Sequence, residues 1–394
     1  MPRGKNQRNK IDQHMKRIMG LAFLFIGGFF LSCSSGSFDQ QLEISARSTG
    51  FNFKVDSIVT VTMNRYDIPG LAVGIVKNDS LLYARGYGVK RLGSTETVSR
   101  QSVFHTASIS KIFTAQAIIH LVEEDLLTFD DKITDLLTEL DYEDQKVEEI
   151  TVRQLLNHTS GLPDVRSYNW ENNHQDQNAL GEYVEGIKLH LISEPSSAYH
   201  YSNLGYNILG YIIEKVSGQI FEDYLKQHIL NPARMFDSDF RYFNIADSLK
   251  TYPHSKSTLL GNIYTREVYP YTREHAPGST LNASANDLAQ WMIYFMKKVD
   301  DSTSTDSYRD MLKPSFDAYP AIGLGFQLYD MDTFKAVGHF GGDKGFRGFL
   351  IMIPDEKAGV VVLGNCDYDE DYRQEIANPI ANLLLNLNAG NENQ

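Results

Sequence analysis

The sequence has little cysteine, because Cys33 and Cys366 are the only two in 394 residues. Two cysteines cannot supply the disulfide framework that holds small secreted domains, so stability must come from packed side chains. Cys366 ends the apolar, strand-like run VVVLGNC, where we expect its thiol to fill a small buried space rather than to react. A hydrophobic content of 42% is enough to bury one large core or two smaller lobes.

Positive charge is also scarce. Lysine and arginine total 37 against 50 aspartates and glutamates, which gives a formal net charge of -13 at pH 7. Beyond its first residues the sequence has no basic stripe that would attract a phosphate backbone. We therefore expect no nucleic-acid partner.

Two common catalytic motifs are missing. The chain has no Gly-x-Ser-x-Gly and no His-Glu-x-x-His, and its 11 histidines are scattered. The first motif marks the nucleophile turn of α/β-hydrolases and the second marks a zinc site. The sequence predicts neither feature, and it implies no metal and no cofactor.

The N-terminus is the one basic segment, and it precedes the short apolar run IMGLAFLFIGGFFLSC. This arrangement predicts an export signal over residues 1–32, with an uncut signal anchor as the alternative. The end of the run resembles a bacterial lipobox, so Cys33 is the predicted lipidation site. Phe30 departs from the aliphatic residue that is usual three positions before the cysteine. Residues 33–50 would then be a polar tether. We expect an exported bacterial protein, periplasmic or a cell-envelope lipoprotein, that contacts the membrane only through this anchor.

The rest of the chain, residues 51–394, is predicted to be one domain with strands at both ends. The runs GLAVGIVKND and SLLYARGYGV meet in a hairpin turn at Asn78 and Asp79, and strand-like runs return late in the chain. Neither set can bury a face alone, so we expect both to pair in one antiparallel sheet flanked by helices. The predicted class is α/β (α+β), with an α/β lobe over about 51–105 and 320–394 and an inserted all-helical lobe over about 106–319.

The stretch TASISKIFTA places Ser108 three residues before Lys111 at the start of an apolar helix. Positions three apart share a helix face, so the amine lies beside the hydroxyl. The first helical turn favours negative charge on the serine oxygen, and an apolar helix favours the neutral lysine that can act as a base. The alternative is that Ser108 caps the helix while Lys111 reaches towards solvent.

A second stretch, SSAYHYSNLGY, carries Tyr201 and Asn203 just before another helix. A phenol beside an ammonium can relay a proton, and an amide can donate to and accept from a substrate peptide bond. The Tyr-x-Asn pattern recurs at Tyr242 and Asn244, so the pattern alone does not identify a site. A buried tyrosine with a satisfied hydroxyl is the alternative for Tyr201.

A third stretch, VGHFGGDKGFRG, has His339, Gly341 and Gly342 at the end of a strand-like run. Glycines there let a ligand or another backbone approach closely, and an exposed strand edge can dock an extended substrate. His339 can supply a cation or a hydrogen-bond donor at that edge. The alternative is a structural histidine at a strand end.

In this order, the three stretches resemble the serine β-lactamase and penicillin-binding-protein superfamily, specifically the class C β-lactamase-like serine hydrolases. HTASISKIFTA matches the first family motif, YSN the second, and HFG stands where β-lactamases carry Lys-Thr-Gly. The resemblance covers about residues 51–390 and implies a β-lactamase/transpeptidase-like fold. ITVRQLLNHTSGLPD and PGSTLNASANDLAQWM are similar to further family stretches, which we expect to serve as scaffold.

The resemblance implies catalytic roles for three residues. Ser108 would be the acylated nucleophile and Lys111 the group that activates it. Tyr201 would share the proton with Lys111, pass it to the leaving group and then help water to release the acyl group.

The resemblance also implies how substrate is held. Asn203 would hold a carbonyl or amide, His339 and Gly341 would bind and orient the substrate at the strand, and the N–H groups of Ser108 and Gly342 would form the oxyanion hole. His339 departs from the lysine that β-lactamases carry, and a histidine is charged only part of the time near neutral pH. This departure disfavours efficient β-lactam hydrolysis and favours the peptidase and esterase activities.

The first functional hypothesis is therefore a serine hydrolase that cleaves an ester or a D-amino-acid-type amide through an acyl-enzyme, like D-alanyl carboxypeptidases and esterases. The second is a β-lactamase, and the third is a non-catalytic module that binds cell-wall fragments. A pure binder has no need of Ser108, Lys111 and Tyr201 together. The expected partner is a small-molecule or peptide substrate, for which cell-wall peptides are one source.

Overall fold

The computed structural model describes residues 35–302, 306–331, 334–369 and 371–389. The predicted export signal over residues 1–32 and the predicted lipidation site Cys33 lie outside these ranges. No helix of the described chain is both long and apolar enough to cross a membrane.

The chain divides after Phe51, and the residues from Asn52 onward form the folded body described below. The backbone is helical from Ser35 to Tyr66. The tether role of residues 33–50 stays a prediction.

Helices fill most of the middle of the chain. The described α-helices are α1 (Ser35–Tyr66), α2 (Ser110–Glu123), α3 (Ile133–Leu136), α4 (Val152–Leu156), α5 (Ala179–Glu185), α6 (Asn203–Ser217), α7 (Phe221–Leu225), α8 (Ala276–Ser279), α9 (Ala285–Asp300), α10 (Ser307–Asp310) and α11 (Tyr372–Ala389). The last helix runs through Pro379.

Strands lie mainly at the two ends of the body. The described strands are β1 (Gly70–Lys77), β2 (Ser80–Gly88), β3 (Val103–His105), β4 (Asp141–Tyr142), β5 (Lys188–Leu189), β6 (His254–Lys256), β7 (Ile263–Thr265), β8 (Asn282–Ser284), β9 (Gln327–Asp330), β10 (Lys335–Asp343), β11 (Phe346–Ile353) and β12 (Ala358–Gly364).

The main sheet has six strands in the order β2-β1-β12-β11-β10-β9. Every neighbouring pair is antiparallel. The pairing of β1 with β12, in register with Val73 opposite Val362, joins the two ends of the chain. The hairpin from β1 to β2 turns at Asn78 and Asp79, whose φ angles of 50° and 58° are those of a two-residue hairpin turn. The predicted antiparallel sheet built from both chain ends is confirmed.

Helices cover both faces of this sheet. A side chain at Gly74 would meet the backbone of Ala285 in α9, whereas one at Gly364 would meet the ring of Tyr372 in α11. Gly364 pairs with Leu71, three residues from Gly74, so the two glycines point to opposite faces. Helix α9 therefore packs on the sheet, although the sequence pattern assigned it to the inserted lobe.

The inserted part is mainly helical, and three two-stranded ladders accompany the helices: β3 with β8, β4 with β5, and β6 with β7. These strands have two or three residues each, too few for an alternating pattern to reveal. Helix α2 is buried along most of its length, as its nearly continuous apolar sequence predicts.

Candidate active site

Ser108 lies in a tight turn between β3 and α2. Residues Ala107–Ile109 form one turn of 3₁₀ helix, and Ala107 has a left-handed φ of 48°. Such a conformation is strained for a residue with a Cβ, and strain of this kind is common at functional sites. Ser110 holds the turn, because its hydroxyl donates to Ala107 O at 2.6 Å and accepts from Leu281 N at 2.9 Å. The backbone thus presents Ser108 at the mouth of the helix.

Lys111 is fully buried and its amine has three oxygen neighbours. The Nζ atom lies 2.5 Å from Oδ1 of Asn203, 2.8 Å from Gly278 O and 3.2 Å from Oγ of Ser108. The first two oxygens can only accept a hydrogen bond, whereas the serine hydroxyl can also donate. A neutral amine has two N–H groups and one lone pair. When those N–H groups point to Asn203 and Gly278, the lone pair faces Ser108.

Burial lowers the pKa of Lys111 from its ordinary value of 10.5 to about 7. The carboxylates of Asp164 and Asp343 oppose this shift, but removal of the ammonium from water is the larger effect. A substantial fraction of Lys111 is therefore neutral near pH 7, as the apolar sequence of α2 predicts.

Tyr201 approaches the same oxygen from another direction. Its hydroxyl donates to Oγ of Ser108 at 2.9 Å, and the amine of Lys111 lies 5.0 Å from the centre of its ring. Burial raises the pKa of Tyr201 above its ordinary value of 10. The phenol therefore keeps its proton at neutral pH and stabilises negative charge on the serine oxygen by donation.

Asn203 begins α6 and links Lys111 to a carboxylate. Its Nδ2 donates to Oδ1 of Asp164 at 2.9 Å, and the backbone N–H of Asn203 donates to the same oxygen at 2.8 Å. A carboxylate only accepts, so Asp164 fixes the amide with Oδ1 towards Lys111. In this structure the amide thus orients the lysine, and its predicted contact with substrate stays a prediction.

Strand β10 closes the other side of the site. A side chain at Gly341 would lie 2.1 Å from Thr106 O, so only glycine allows the strand to approach the turn that carries Ser108. Gly342 follows, opposite Arg347 on β11. The ladder between β9 and β10 ends at Gly338, and beyond it Gln327 accepts a hydrogen bond from Phe340 N at 3.2 Å.

His339 is buried on this strand, with its ring centre 6.3 Å from that of Tyr201. Its Nδ1 lies 2.5 Å from Phe340 O, so this nitrogen donates and carries a proton. Burial, together with the nearby Lys111 ammonium, lowers the pKa of His339 to about 3. His339 is therefore neutral at physiological pH.

The structure brings Ser108, Lys111, Tyr201 and Asn203 into direct contact, with His339 beside Tyr201. Among the described residues no cluster of histidine, cysteine and carboxylate side chains has the arrangement of a metal site.

Sequence reasoning missed three residues that contact the site, namely His158, Asp164 and Gly278. The ring of His158 packs against that of Tyr201, with ring centres 4.4 Å apart. All three lie in the family-like stretches that we expected to serve as scaffold. The similarity of those stretches to the family was the one sequence feature that could have indicated these residues. Nothing in the spacing of the three residues placed them near Ser108.

Comparison with known proteins gives a consistent result. A family model described as Beta-lactamase matches residues 55–384. The chain is 28% identical over 328 residues to penicillin-binding protein 4* of Bacillus subtilis (strain 168), covering 77% of the chain and 70% of that protein. It is 26% identical over 326 residues to Protein flp of Staphylococcus aureus (strain MW2), covering 79% of the chain. The chain spans 62% of the length of Protein flp, less than two thirds.

A solved structure, that of the octameric penicillin-binding protein homologue from Pyrococcus abyssi, matches with a TM-score of 0.72 at 27% identity. The match covers 85% of the chain and 77% of the homologue. It confirms the predicted fold class, and the family model confirms the resemblance stated from the three motifs. The chain belongs to the beta-lactamase family, that of the β-lactamase-related serine hydrolases and penicillin-binding proteins.

Proposed function

We propose that the protein is an exported serine hydrolase that acts through an acyl-enzyme on an ester or a D-amino-acid-type amide. One observation carries the proposal: Oγ of Ser108 has a buried amine at 3.2 Å and a partly buried phenol at 2.9 Å. The amine is Lys111, whose pKa of about 7 suits a base that works at neutral pH.

The proton path follows from the donors and acceptors. Neutral Lys111 takes the proton of Ser108 as Oγ attacks the substrate carbonyl, and Tyr201 donates to the same oxygen until the attack is complete. Once Oγ is bonded to the acyl carbon it carries no proton, so Tyr201 donates its phenol proton to the leaving group as the C–N or C–O bond breaks, and the ammonium of Lys111 returns a proton to Tyr201. Deacylation reverses the path, with water in place of the leaving group and Tyr201 as its hydrogen-bond partner.

Strand β10 lies on the side of the site where the substrate carbonyl is proposed to bind. The N–H groups of Ser108 and Gly342 are the proposed oxyanion hole, and loss of one such donor costs about 3 to 4 kcal/mol in other enzymes. The β9 ladder ends at Gly338 and the side chain of Gln327 caps the N–H of Phe340, so the part of β10 proposed to hold an extended substrate is the edge after Phe340, at Gly341 and Gly342.

Neutral His339 argues against a β-lactamase as the main activity. A fixed cation at this position would pair with a substrate carboxylate, and a histidine with a pKa of about 3 provides none near pH 7. Export and lipidation at Cys33 belong to the proposal on the strength of the N-terminal sequence.

The first test is covalent labelling with a fluorophosphonate. The protein used is the soluble form that starts after Cys33. We expect the wild type to be labelled at Ser108 and the Ser108→Ala variant to remain unlabelled. Ser217→Ala is the control, because the Ser217 hydroxyl also bonds to backbone but lies at the far end of α6, and this variant should still be labelled. Labelling that survives Ser108→Ala removes Ser108 from its role.

The second test is a substrate panel of p-nitrophenyl esters, D-alanyl peptides and a chromogenic cephalosporin. We expect turnover of an ester or D-alanyl peptide, and slow acylation by the cephalosporin. Rapid cephalosporin turnover would establish the β-lactamase alternative. Calorimetric binding of a cell-wall stem peptide without any product would establish the binding module instead.

A further inference from the structure

His158 contacts three consecutive residues of the segment that carries Tyr201. Its ring packs against the Tyr201 ring in a tilted arrangement, with centres 4.4 Å apart and planes inclined by 31°. Its Nδ1 lies 3.1 Å from Ser202 N, and its backbone oxygen accepts from His200 N at 2.8 Å. One residue therefore holds Tyr201 by its ring and by the backbone on both sides.

The hydrogen bond to Ser202 defines the chemical state of His158. A backbone N–H can only donate, so Nδ1 must accept and the ring must be neutral with its proton on Nε2. His158 is 2% exposed, and burial lowers its pKa well below the ordinary value. The acceptor is therefore present throughout the working pH range.

The segment around Tyr201 has no regular structure of its own to fix it. His200, Tyr201 and Ser202 lie outside any helix or strand, directly before α6. Their position depends on contacts with residues 158–164, of which Pro163 binds the Ser202 hydroxyl at 2.7 Å. His158 is the member of this group that touches the ring of Tyr201.

The backbone of His158 is strained, with a φ of 60°. Strained backbone at a buried polar residue persists where surrounding contacts over-determine it, and such positions concentrate at functional sites. The strain coincides here with the contacts to Tyr201, whose hydroxyl must stay within hydrogen-bond distance of Ser108.

We propose that His158 is the positioning residue for Tyr201, holding the phenol in line with the Ser108 oxygen for proton transfer. This inference rests on the proposed function, because His158 is assigned the task of holding Tyr201 in place for the proposed hydrolysis. His158 itself does not touch substrate or the reacting atoms.

Two variants separate the contacts of His158. His158→Phe keeps a ring for stacking and loses the acceptor for Ser202 N. His158→Asn loses the ring but places an oxygen near the position of Nδ1, and asparagine tolerates a left-handed backbone. We expect His158→Phe to lower kcat by about 10²-fold, the cost of a misplacement of about 1 Å, and His158→Asn to lower it by no more than about tenfold. KM should change by less than about threefold in both, because ground-state binding is untouched.

His254 provides a matched control for loss of a buried histidine. It is fully buried, and its Nε2 accepts from Leu92 N at 3.1 Å, as Nδ1 of His158 accepts from Ser202 N. His254→Phe should lower Tm to a similar extent as His158→Phe but leave kcat within about threefold of the wild type. A purely structural role would make the two variants alike.

The inference is overturned if His158→Phe lowers Tm as His254→Phe does and keeps the wild-type kcat. It is also overturned if KM rises and kcat is unchanged, since His158 would then act in binding. Failure of the proposed function is a different result, in which Ser108→Ala retains hydrolysis whatever the His158 variants do.

Discussion

Lys77 on β1 and Lys111 on α2 are both buried, but their amines have different neighbours. The Lys77 amine lies 3.1 Å from a carboxylate oxygen of Glu356 and 2.8 Å from the backbone oxygen of the same residue. The Lys111 amine lies among an amide oxygen, a backbone oxygen and a hydroxyl, all uncharged. A paired charge offsets its own desolvation, whereas neutral oxygens leave most of that cost in place.

The comparison shows which feature makes a lysine into a base. Burial alone is common to both residues, so burial does not separate a structural lysine from a catalytic one. The difference is the distance of the compensating carboxylate. For Lys111 that group is Asp164, which acts through Asn203 rather than by direct contact.

The largest expected effect on activity comes from replacing Lys111 by methionine. Lys111→Met removes the base and should lower kcat/KM by about 10⁴-fold, the upper end of what a positioned base contributes. Its unfolding free energy at pH 7 should fall by no more than about 1 kcal/mol, because relief of the buried charge offsets two unpaired oxygens. Ester hydrolysis and urea unfolding measure the two quantities.

Lys77→Met is the control for that change. Its partner Glu356 is 40% exposed in its side chain, so the released carboxylate can be hydrated. We expect unchanged activity and a stability loss of about 1 kcal/mol. Equal losses of activity in the two variants would contradict the distinction between the lysines.

The next largest effect on activity is expected at Asp164, the carboxylate that acts on Lys111 through Asn203. Asp164→Asn leaves the Asn203 amide without a fixed orientation and removes a charge that raises the Lys111 pKa. We expect kcat/KM to fall by about 10²-fold through misplacement of the amine. The pH of half-maximal acylation should move below 7, because the loss of a nearby anion favours the neutral lysine.

Asp56→Asn is the matched control, since Asp56 accepts hydrogen bonds from Tyr83, Tyr87 and Arg85 far along the main sheet. It should leave the pH profile of fluorophosphonate labelling unchanged. A rise in the pH of half-maximal labelling in Asp164→Asn would show that the carboxylate does not act on Lys111.

The pH dependence of stability is a third test. An unfolded lysine keeps its proton to about pH 10.4, whereas folded Lys111 loses it near pH 7. Between these values the unfolded chain binds more protons, so the Lys111 contribution to unfolding free energy rises with pH by up to about 1.4 kcal/mol per unit. It is fully lost as pH falls below the folded pKa.

Comparison of the wild type with Lys111→Met isolates this contribution from other groups. The difference in unfolding free energy between them should shift in favour of the wild type from pH 7 to pH 9.5. A pH-independent difference for Lys111→Met would mean that folded Lys111 keeps its proton across that range.

The sequence was informative where chemistry follows from local spacing. Ser108 and Lys111 lie three residues apart at a helix start, so their contact followed from helix geometry. The sheet was also predictable, because Asn78 and Asp79 mark the hairpin and strand-like apolar runs mark the later strands. The sequence predicted neither the register nor the strand order, which come from the structure.

The rest depends on tertiary contacts that no periodic pattern encodes. Asp164 and His158 act through residues about 40 positions away, and the glycine at 278 contributes only a backbone oxygen. The sequence suggested that His339 is charged part of the time, whereas its neutrality follows from complete burial beside Lys111. Such environments exist only after distant segments pack together.

The smallest expected effect sharpens the assignment of charge at the site. If Lys111 is the group that titrates and His339 is neutral, His339→Gln should change kcat/KM at pH 7 by less than about threefold and leave the pH of half-maximal activity near 7. His339→Lys is the contrasting variant, because a second cation beside Lys111 should move that pH lower. If the fall in kcat/KM at acidic pH disappeared in His339→Gln, the titrating group would be His339. Lys111 would then be a structural lysine like Lys77.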